Sequence, residues 1–212
     1  MLGRATLAIF SLFLLSGCNR PDSGESRAAD RSVVSEPSDG QNPEAVIPNE
    51  GGLPDLGEAP EFLLRDSDSQ EFSFRKYDGR VRLVSFFFTR CPSICPRING
   101  QIAELFEKVS DNPKVLFLSI TVDPENDTPQ VLSDYARKYR KDASNWKFLT
   151  GEPQVIQGLL TGGFKLGSGM LPDAHNTRIV LVDQAGTIRG FYQGMDSSHI
   201  AQLGKDLLKL LP

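Results

Sequence analysis

The chain has 212 residues, 39% hydrophobic and 24% charged, with 13 Phe and a single Trp, which is ample for one core and thin for two. Its formal charge of −4 is uneven: residues 19–58 hold three Arg against nine acids, whereas residues 59–212 hold 19 basic and 18 acidic side chains. A near-neutral folded part has no field suited to gripping a phosphate backbone, so no nucleic acid is expected as a partner; three cysteines and no repeat argue against disulfide-scaffold, collagen-like and coiled-coil classes.

Arg4 and the apolar run of residues 5–15 have the build of a signal peptide, too short for a comfortable membrane span. The run ends in Leu15-Ser16-Gly17-Cys18. This resembles the bacterial lipobox, where small residues before a cysteine admit lipoprotein signal peptidase and the thiol is acylated. The expectation is a lipoprotein signal peptide over residues 1–17 and a mature chain held to a membrane through a lipidated Cys18, since multiple acyl chains anchor stably. Residues 18–58 contain no aromatic side chain and are rich in Ser, Pro, Gly, Asp and Glu. They read as a disordered acidic linker, with a mean reach of about 35 Å. The folded domain is expected over residues 59–212, where no stretch approaches the roughly 18 apolar residues of a membrane span.

Within that domain, Phe62-Leu63-Leu64 and Phe72-Ser73-Phe74 flank a polar turn and read as a hairpin. Residues 81–88 are apolar on both faces and predict a buried, parallel strand. Ile98, Ile102, Leu105, Phe106 and Val109 follow at helical spacing, then a second buried strand over 115–122. Thr128-Pro129 opens a helix with the apolar face Val131, Leu132, Tyr135 and Tyr139. The basic cluster Arg137, Lys138, Arg140 and Lys141 at its end reads as a solvated terminus that suits the helix dipole. A short helix over 154–160, a Gly-rich loop over 161–172, strands over 177–182 and 188–192, and a last helix with Ile200, Leu203, Leu207 and Leu210 complete the chain. A βαβ crossover followed by a late hairpin is the arrangement of an α/β, thioredoxin-like fold with an N-terminal β-hairpin and a C-terminal helix.

The chemistry concentrates at the end of the first buried strand, in Thr89-Arg90-Cys91-Pro92-Ser93-Ile94-Cys95-Pro96. Sites in open α/β sheets form outside the carboxyl ends of strands. Pro96 fits the first helical position, with Cys95 as N-cap, and the free amides and helix dipole there favour thiolate on both sulfurs. Three residues separate the cysteines, whereas thiol oxidoreductases of the thioredoxin type have two. The wider gap suits a third atom between the sulfurs. Thiolates select soft ions; an iron–sulfur cluster wants four cysteines where two remain after Cys18, and Cys91, Cys95, His175 and His199 are too scattered to read as a structural zinc site, so a soft ion with few ligands points to copper. His175, in Asp173-Ala174-His175-Asn176, is the candidate third ligand. Whether it reaches the sulfurs depends on the direction of the strand after it, which the sequence leaves open. His199 is expected to be exposed at a helix start. Asp123 could tune a metal from behind its ligands or meet a partner; Asp127, just before Thr128-Pro129, suits the helix start.

Three motifs in order resemble the Sco/SenC family of copper-binding proteins: residues 81–96 with CxxxCP, Asp123-Pro124-Glu125-Asn126-Asp127-Thr128-Pro129, and His175 ahead of Arg178-Ile179-Val180-Leu181-Val182-Asp183. The resemblance runs from Pro60 to the C-terminus. It implies a thioredoxin-like fold and a membrane-anchored domain in the bacterial cell envelope, facing the periplasm. It implies one copper, as Cu(I) or Cu(II), held by Cys91, Cys95 and His175. The implied role is assembly of the dinuclear copper centre of cytochrome c oxidase subunit II, with a copper donor and a thiol reductant as further partners. Ser93 stands where many members carry an acid. Two function classes follow: a copper metallochaperone, which turns over no substrate, and a thiol–disulfide reductase whose redox pair is Cys91 and Cys95. A peroxiredoxin is disfavoured, because Val84 and Phe88 stand where its Pro and Thr would be.

The lipobox generates a first prediction. Cys18→Ala should abolish labelling by radioactive palmitate and leave the folded domain unchanged; labelling equal to wild type would remove the anchor.

Overall fold

A computed structural model describes residues 52–141, 145–167, 171 and 176–211. The signal peptide, Cys18, most of the linker and His175 lie outside the described residues. The elements run β1 (Leu63–Asp66), β2 (Glu71–Ser73), a 3₁₀ turn (Arg75–Tyr77), β3 (Val81–Phe87), α1 (Ile94–Glu107), β4 (Val115–Thr121), α2 (Pro129–Ala136), β5 (Trp146–Thr150), α3 (Pro153–Gly158), a π-helical turn (Leu159–Gly163), β6 (Arg178–Val182), β7 (Ile188–Gln193) and α4 (Ser197–Lys209). One seven-stranded sheet has the order β2-β1-β5-β4-β3-β6-β7. Strands β3, β4 and β5 are parallel, and β1, β6 and β7 each run antiparallel to a neighbour. This is the expected α/β, thioredoxin-like arrangement.

Alternation along the strands sends successive side chains to opposite faces and builds two cores. Val81, Leu83, Phe87, Val115, Phe117, Ile179 and Leu181 pack with Ile98, Ile102, Leu105 and Phe106 of α1, Leu132 and Tyr135 of α2, and Leu203 and Leu207 of α4. Val84, Phe86, Leu116, Leu118, Ile120, Val180 and Val182 pack with Phe62, Leu64, Phe72 and Phe74 around the N-terminal hairpin, and with Ile156, Leu159 and Leu160 around α3. Cys91 and Cys95 belong to the first core.

Three expectations need correction. Strand β5 was not anticipated, because Trp146-Lys147-Phe148-Leu149-Thr150 is short and interrupted by a cation. Its place is secured from outside: it pairs with β4 and β1, and Lys147 Nζ meets Asp66 Oδ2 at 3.1 Å. The linker ends sooner than residue 58, since Leu56 N donates to Ile188 O, Ile188 N to Gly57 O, and Glu58 bridges to Thr187. Helix α1 starts at Ile94 with Ser93 as N-cap, not at Cys95. Pro96 is thereby the third helical residue, which costs no hydrogen bond because the first helical amides lack intrahelical acceptors.

The end of β7 shows how tightly the cysteine end of the sheet is closed. Gly194 N donates to Thr177 O at 2.7 Å, and a Cβ at Gly194 would lie 2.7 Å from that same oxygen and 2.9 Å from Ile98 Cγ2. Gly194→Ala should therefore destabilise the protein by about 1–3 kcal/mol through overpacking. Gly100→Ala, at a helical position with nothing within 4 Å, should stabilise it by about 0.5–1 kcal/mol. Urea midpoints of the two variants check both signs.

Candidate metal centre

Strand β3 ends at Phe87, and a short turn in which Cys91 N donates to Phe88 O (3.3 Å) delivers Cys91 beside the start of α1. No Ser93 side-chain hydrogen bond caps this helix; instead Cys95 N donates to Cys91 Sγ at 3.3 Å. A sulfur thus takes the role that an oxygen usually fills at a helix N-terminus. Both cysteines are reduced and buried, at 8% and 5% exposure.

The expectation that both thiols favour thiolate holds for one of them. Burial pushes the Cys91 thiol up, but the amides of Cys95, Ser93 and Ile94, together with the Cys95 side chain, outweigh it and leave Cys91 below its ordinary value. Cys95 is pushed up to about 12, first by burial and further by its contact with Cys91 and the charge of Asp127, against a single lowering bond with the backbone of Phe88. The helix terminus therefore serves the sulfur that faces it, Cys91, and not the one carried within its first turn.

Two carboxylates from the loop between β4 and α2 grip the residues just before Cys91. Asp127, fully buried, accepts from Thr89 N (3.0 Å), Thr89 Oγ1 and Thr121 Oγ1. It therefore ties the cysteine loop to the end of β4, while the helix start itself is capped by Thr128, whose hydroxyl accepts from Val131 N. Asp123 accepts from Arg90 Nε (3.1 Å) and Nη2 (2.8 Å) on one oxygen and from Asn126 Nδ2 on the other. The sequence places Thr89 and Arg90 in the cysteine motif but gives them and Thr121 no role, because hydroxyls and a guanidinium near a turn carry no periodic signal.

Behind the cysteines, Tyr135 stacks on Phe87 with centroids 5.2 Å apart and accepts from Asn99 Nδ2 at 3.0 Å. Burial raises its phenol, Tyr139 adds to that, and Cys95 contributes a smaller push in the same direction. Tyr135 packs its ring in the core, as the apolar helix face predicts, and its hydroxyl adds a polar wall behind the cysteine pair. His199 is half-buried, not exposed, because Gln193 N donates to its Nδ1 at 3.2 Å.

Among the described residues no cluster of three or more Cys, His, Asp or Glu side chains is placed to hold a metal ion. The open question of strand direction has an answer. Strand β6 is antiparallel to β3, with Ser85 opposite Ile179 and Arg82 opposite Val182. Arg178, its first residue, therefore enters the sheet at the end where β3 delivers Cys91. The loop before it is held at described points: Gln157 Oε1 accepts from Leu171 N at 3.0 Å, and Asn176 Nδ2 donates to Leu166 O.

The unequal thiols predict both reactivity and stability. Limiting iodoacetamide at pH 8 should modify Cys91 before Cys95, read by peptide mass. Burial keeps Cys95 neutral in the folded chain, from 9.0 up to about 12, so its contribution to stability is full below pH 9.0 and is lost as pH rises toward 12. The buried phenols of Tyr135 and Tyr192 are raised too and act in the same sense. Denaturant midpoints should fall across that window, and fall less steeply in Cys95→Ala.

Comparison with known proteins agrees with this architecture. A family model described as SCO1/SenC matches residues 54–210. A protein of Stutzerimonas stutzeri named for copper binding is 30% identical over 196 residues, 87% of this chain and 86% of its own. The crystal structure of a SCO1/SenC family lipoprotein from Bacillus anthracis superimposes with a TM-score of 0.67 at 26% identity, covering 73% of this chain and 95% of the other. BsSco, a member of the Sco family of cytochrome c oxidase assembly proteins in which a disulfide switch has been identified, gives 0.66 at 28% identity over 74% and 96% of the two chains. With one motif-bearing domain matched from end to end, this chain belongs to the SCO1/SenC family.

Proposed function

We propose that the protein is a membrane-anchored periplasmic copper metallochaperone that assists assembly of the dinuclear copper centre of cytochrome c oxidase subunit II. The observation that carries the reading is the cysteine pair itself: two buried sulfurs at one helix start, one of them already an acceptor of the Cys95 amide. Such a pair suits a soft ion that is content with few donors. In this reading copper is cargo, held by Cys91, Cys95 and His175. Only three residues of chain lie between His175 and the sheet at Arg178 when Arg178 is counted. That is a reach of about 10 Å, at the cysteine end of the sheet. Cys91 meets the incoming ion first, since its thiolate is the more accessible state. Cys95 gives up its proton only in exchange for the metal bond, so loading releases protons. The names of the Stutzerimonas and BsSco relatives support the copper and oxidase parts of the reading. The Bacillus anthracis lipoprotein supports the anchor at Cys18.

A second reading has its own support. One activated and one neutral thiol in contact is also the arrangement of a thiol–disulfide reductase, with Cys91 attacking and Cys95 resolving, and BsSco carries a disulfide switch. Here the protein would keep the cysteines of subunit II reduced.

Anaerobic titration of the reduced protein separates the two. The chaperone reading expects about one equivalent of Cu(I) bound, abolished by Cys91→Ser or Cys95→Ser. His175→Ala should keep measurable Cu(I) but lose Cu(II) and its sulfur-to-copper charge-transfer band. Failure of the reduced wild type to bind either ion, alongside rapid reduction of an oxidised copper-site peptide, would replace the first reading with the second.

A further inference from the structure

The loop between β4 and α2 grips two consecutive residues, Thr89 and Arg90, directly before Cys91. The two grips differ. Arg90 is 62% exposed in its side chain, so its pair with Asp123 is softened by solvent. Asp127 has no exposure and uses both oxygens: Oδ2 accepts from Thr89 N at 3.0 Å and from Thr121 Oγ1, and Oδ1 accepts from Thr89 Oγ1. The direction of the Thr121 bond is fixed, because Thr121 Oγ1 also accepts from Asp123 N at 3.0 Å and so spends its own proton on Asp127. Three donors converge on one buried carboxylate, two of them from half-buried Thr89 and one from fully buried Thr121. Such bonds are charge-assisted and short, and losing the acceptor leaves buried donors unpaired.

We propose that Asp127 is the positioning residue of the cysteine pair. By fixing the amide and hydroxyl of Thr89, it holds the backbone that sets Cys91 Sγ against the amide of Cys95. The other ties here are the solvent-softened pair of Arg90 with Asp123 and the turn bond of Cys91 N to Phe88 O; Thr89 is followed by exposed Arg90, then Cys91, then exposed Pro92 and Ser93. With Thr89 pinned, the two sulfurs stay within reach of each other; with Thr89 released, Cys91 samples a wider arc and the effective concentration of one sulfur at the other falls. Helix α2, packed through Leu132 and Tyr135 into the same core as the cysteines, makes the far side of the clamp rigid.

The inference rests on the reading of Cys91 and Cys95 as a working pair, yet its test requires no copper. The full chain, free of metal, is equilibrated with glutathione buffers of graded redox ratio and quenched by alkylation. Trypsin then releases residues 91–97, which contain both cysteines and no third, and mass spectrometry gives the disulfide fraction. Asp127→Asn should shift the equilibrium toward the dithiol on the order of tenfold, the scale of one buried charge-assisted hydrogen bond. Thr89→Val, which removes only the hydroxyl arm, should shift it less. Thr89→Ser, which keeps amide and hydroxyl, should restore the wild-type value. The double variant Asp127→Asn/Thr89→Val should be no worse than Asp127→Asn alone, because both act through one contact. A clamp that merely stabilises the fold would lower the thermal midpoints of oxidised and reduced protein equally and leave the glutathione equilibrium unmoved; that result overturns the proposal. Should Asp127→Asn not fold, the pair Thr89→Val and Thr89→Ser decides, and equal equilibria for the two overturn it. A wild type that forms no disulfide at any ratio would remove the pair reading along with it.

Discussion

Strand β3 has all seven of its residues buried, with β4 parallel on one side and β6 antiparallel on the other. A strand with no solvent face leaves its register no freedom: a slip of one residue would exchange the two cores and put Arg82 where Leu83 packs. Arg82 tolerates its burial because its guanidinium lies over the Phe74 ring at 4.3 Å, meets Asp78 Oδ1 at 2.9 Å and donates to Asp183 O. Once β3 is fixed, its carboxyl end can deliver Cys91 to only one place, and the antiparallel neighbour must begin there too.

From that end the chemistry follows by geometry. The cysteines sit at the edge of a packed core, beside Phe87, Ile98 and Tyr135, where little water reaches and hydrogen bonds to charged sulfur gain strength. The same dryness penalises a second thiolate. This is why one helix terminus yields two unlike thiols: Cys91 accepts the amides that the helix leaves free, whereas Cys95, inside the first turn, is pushed up by burial with only one compensating bond. A site in which one thiol ionises more readily than the other is suited to a ligand or partner that supplies the second driving force itself.

The polar residues around the pair form a support and not a second centre. Asp127, Thr89 and Thr121 fasten the loop from below, Asn99 and Tyr135 wall it from behind, and Arg90 with Asp123 closes it at the surface. Each buried polar atom of this group has a partner, as burial requires. The stretch from Asp123 to Pro129 belongs with the cysteines physically: its two acids act on the cysteine loop, not only on the helix they precede.

Elements whose signal is local are legible in the residues alone. Uninterrupted apolar runs announced β3 and β4, helical spacing announced α1, and Thr128-Pro129 announced α2. The cysteine spacing, read with the strand before it, pointed to the candidate site, and the structure sets the two sulfurs together at one helix start. Whatever depends on neighbours became visible only in the folded chain. Strand β5 exists because β4 and β1 flank it and Asp66 neutralises Lys147, information no five-residue window contains. The split between Cys91 and Cys95 required knowing which sulfur faces the free amides, and the partial burial of His199 goes with its hydrogen bond from the amide of Gln193. The direction of β6, which brings the chain after His175 into the sheet at the cysteine end, was likewise invisible, because a strand's pattern of burial is the same read either way and only its hydrogen bonds to β3 give it a sense.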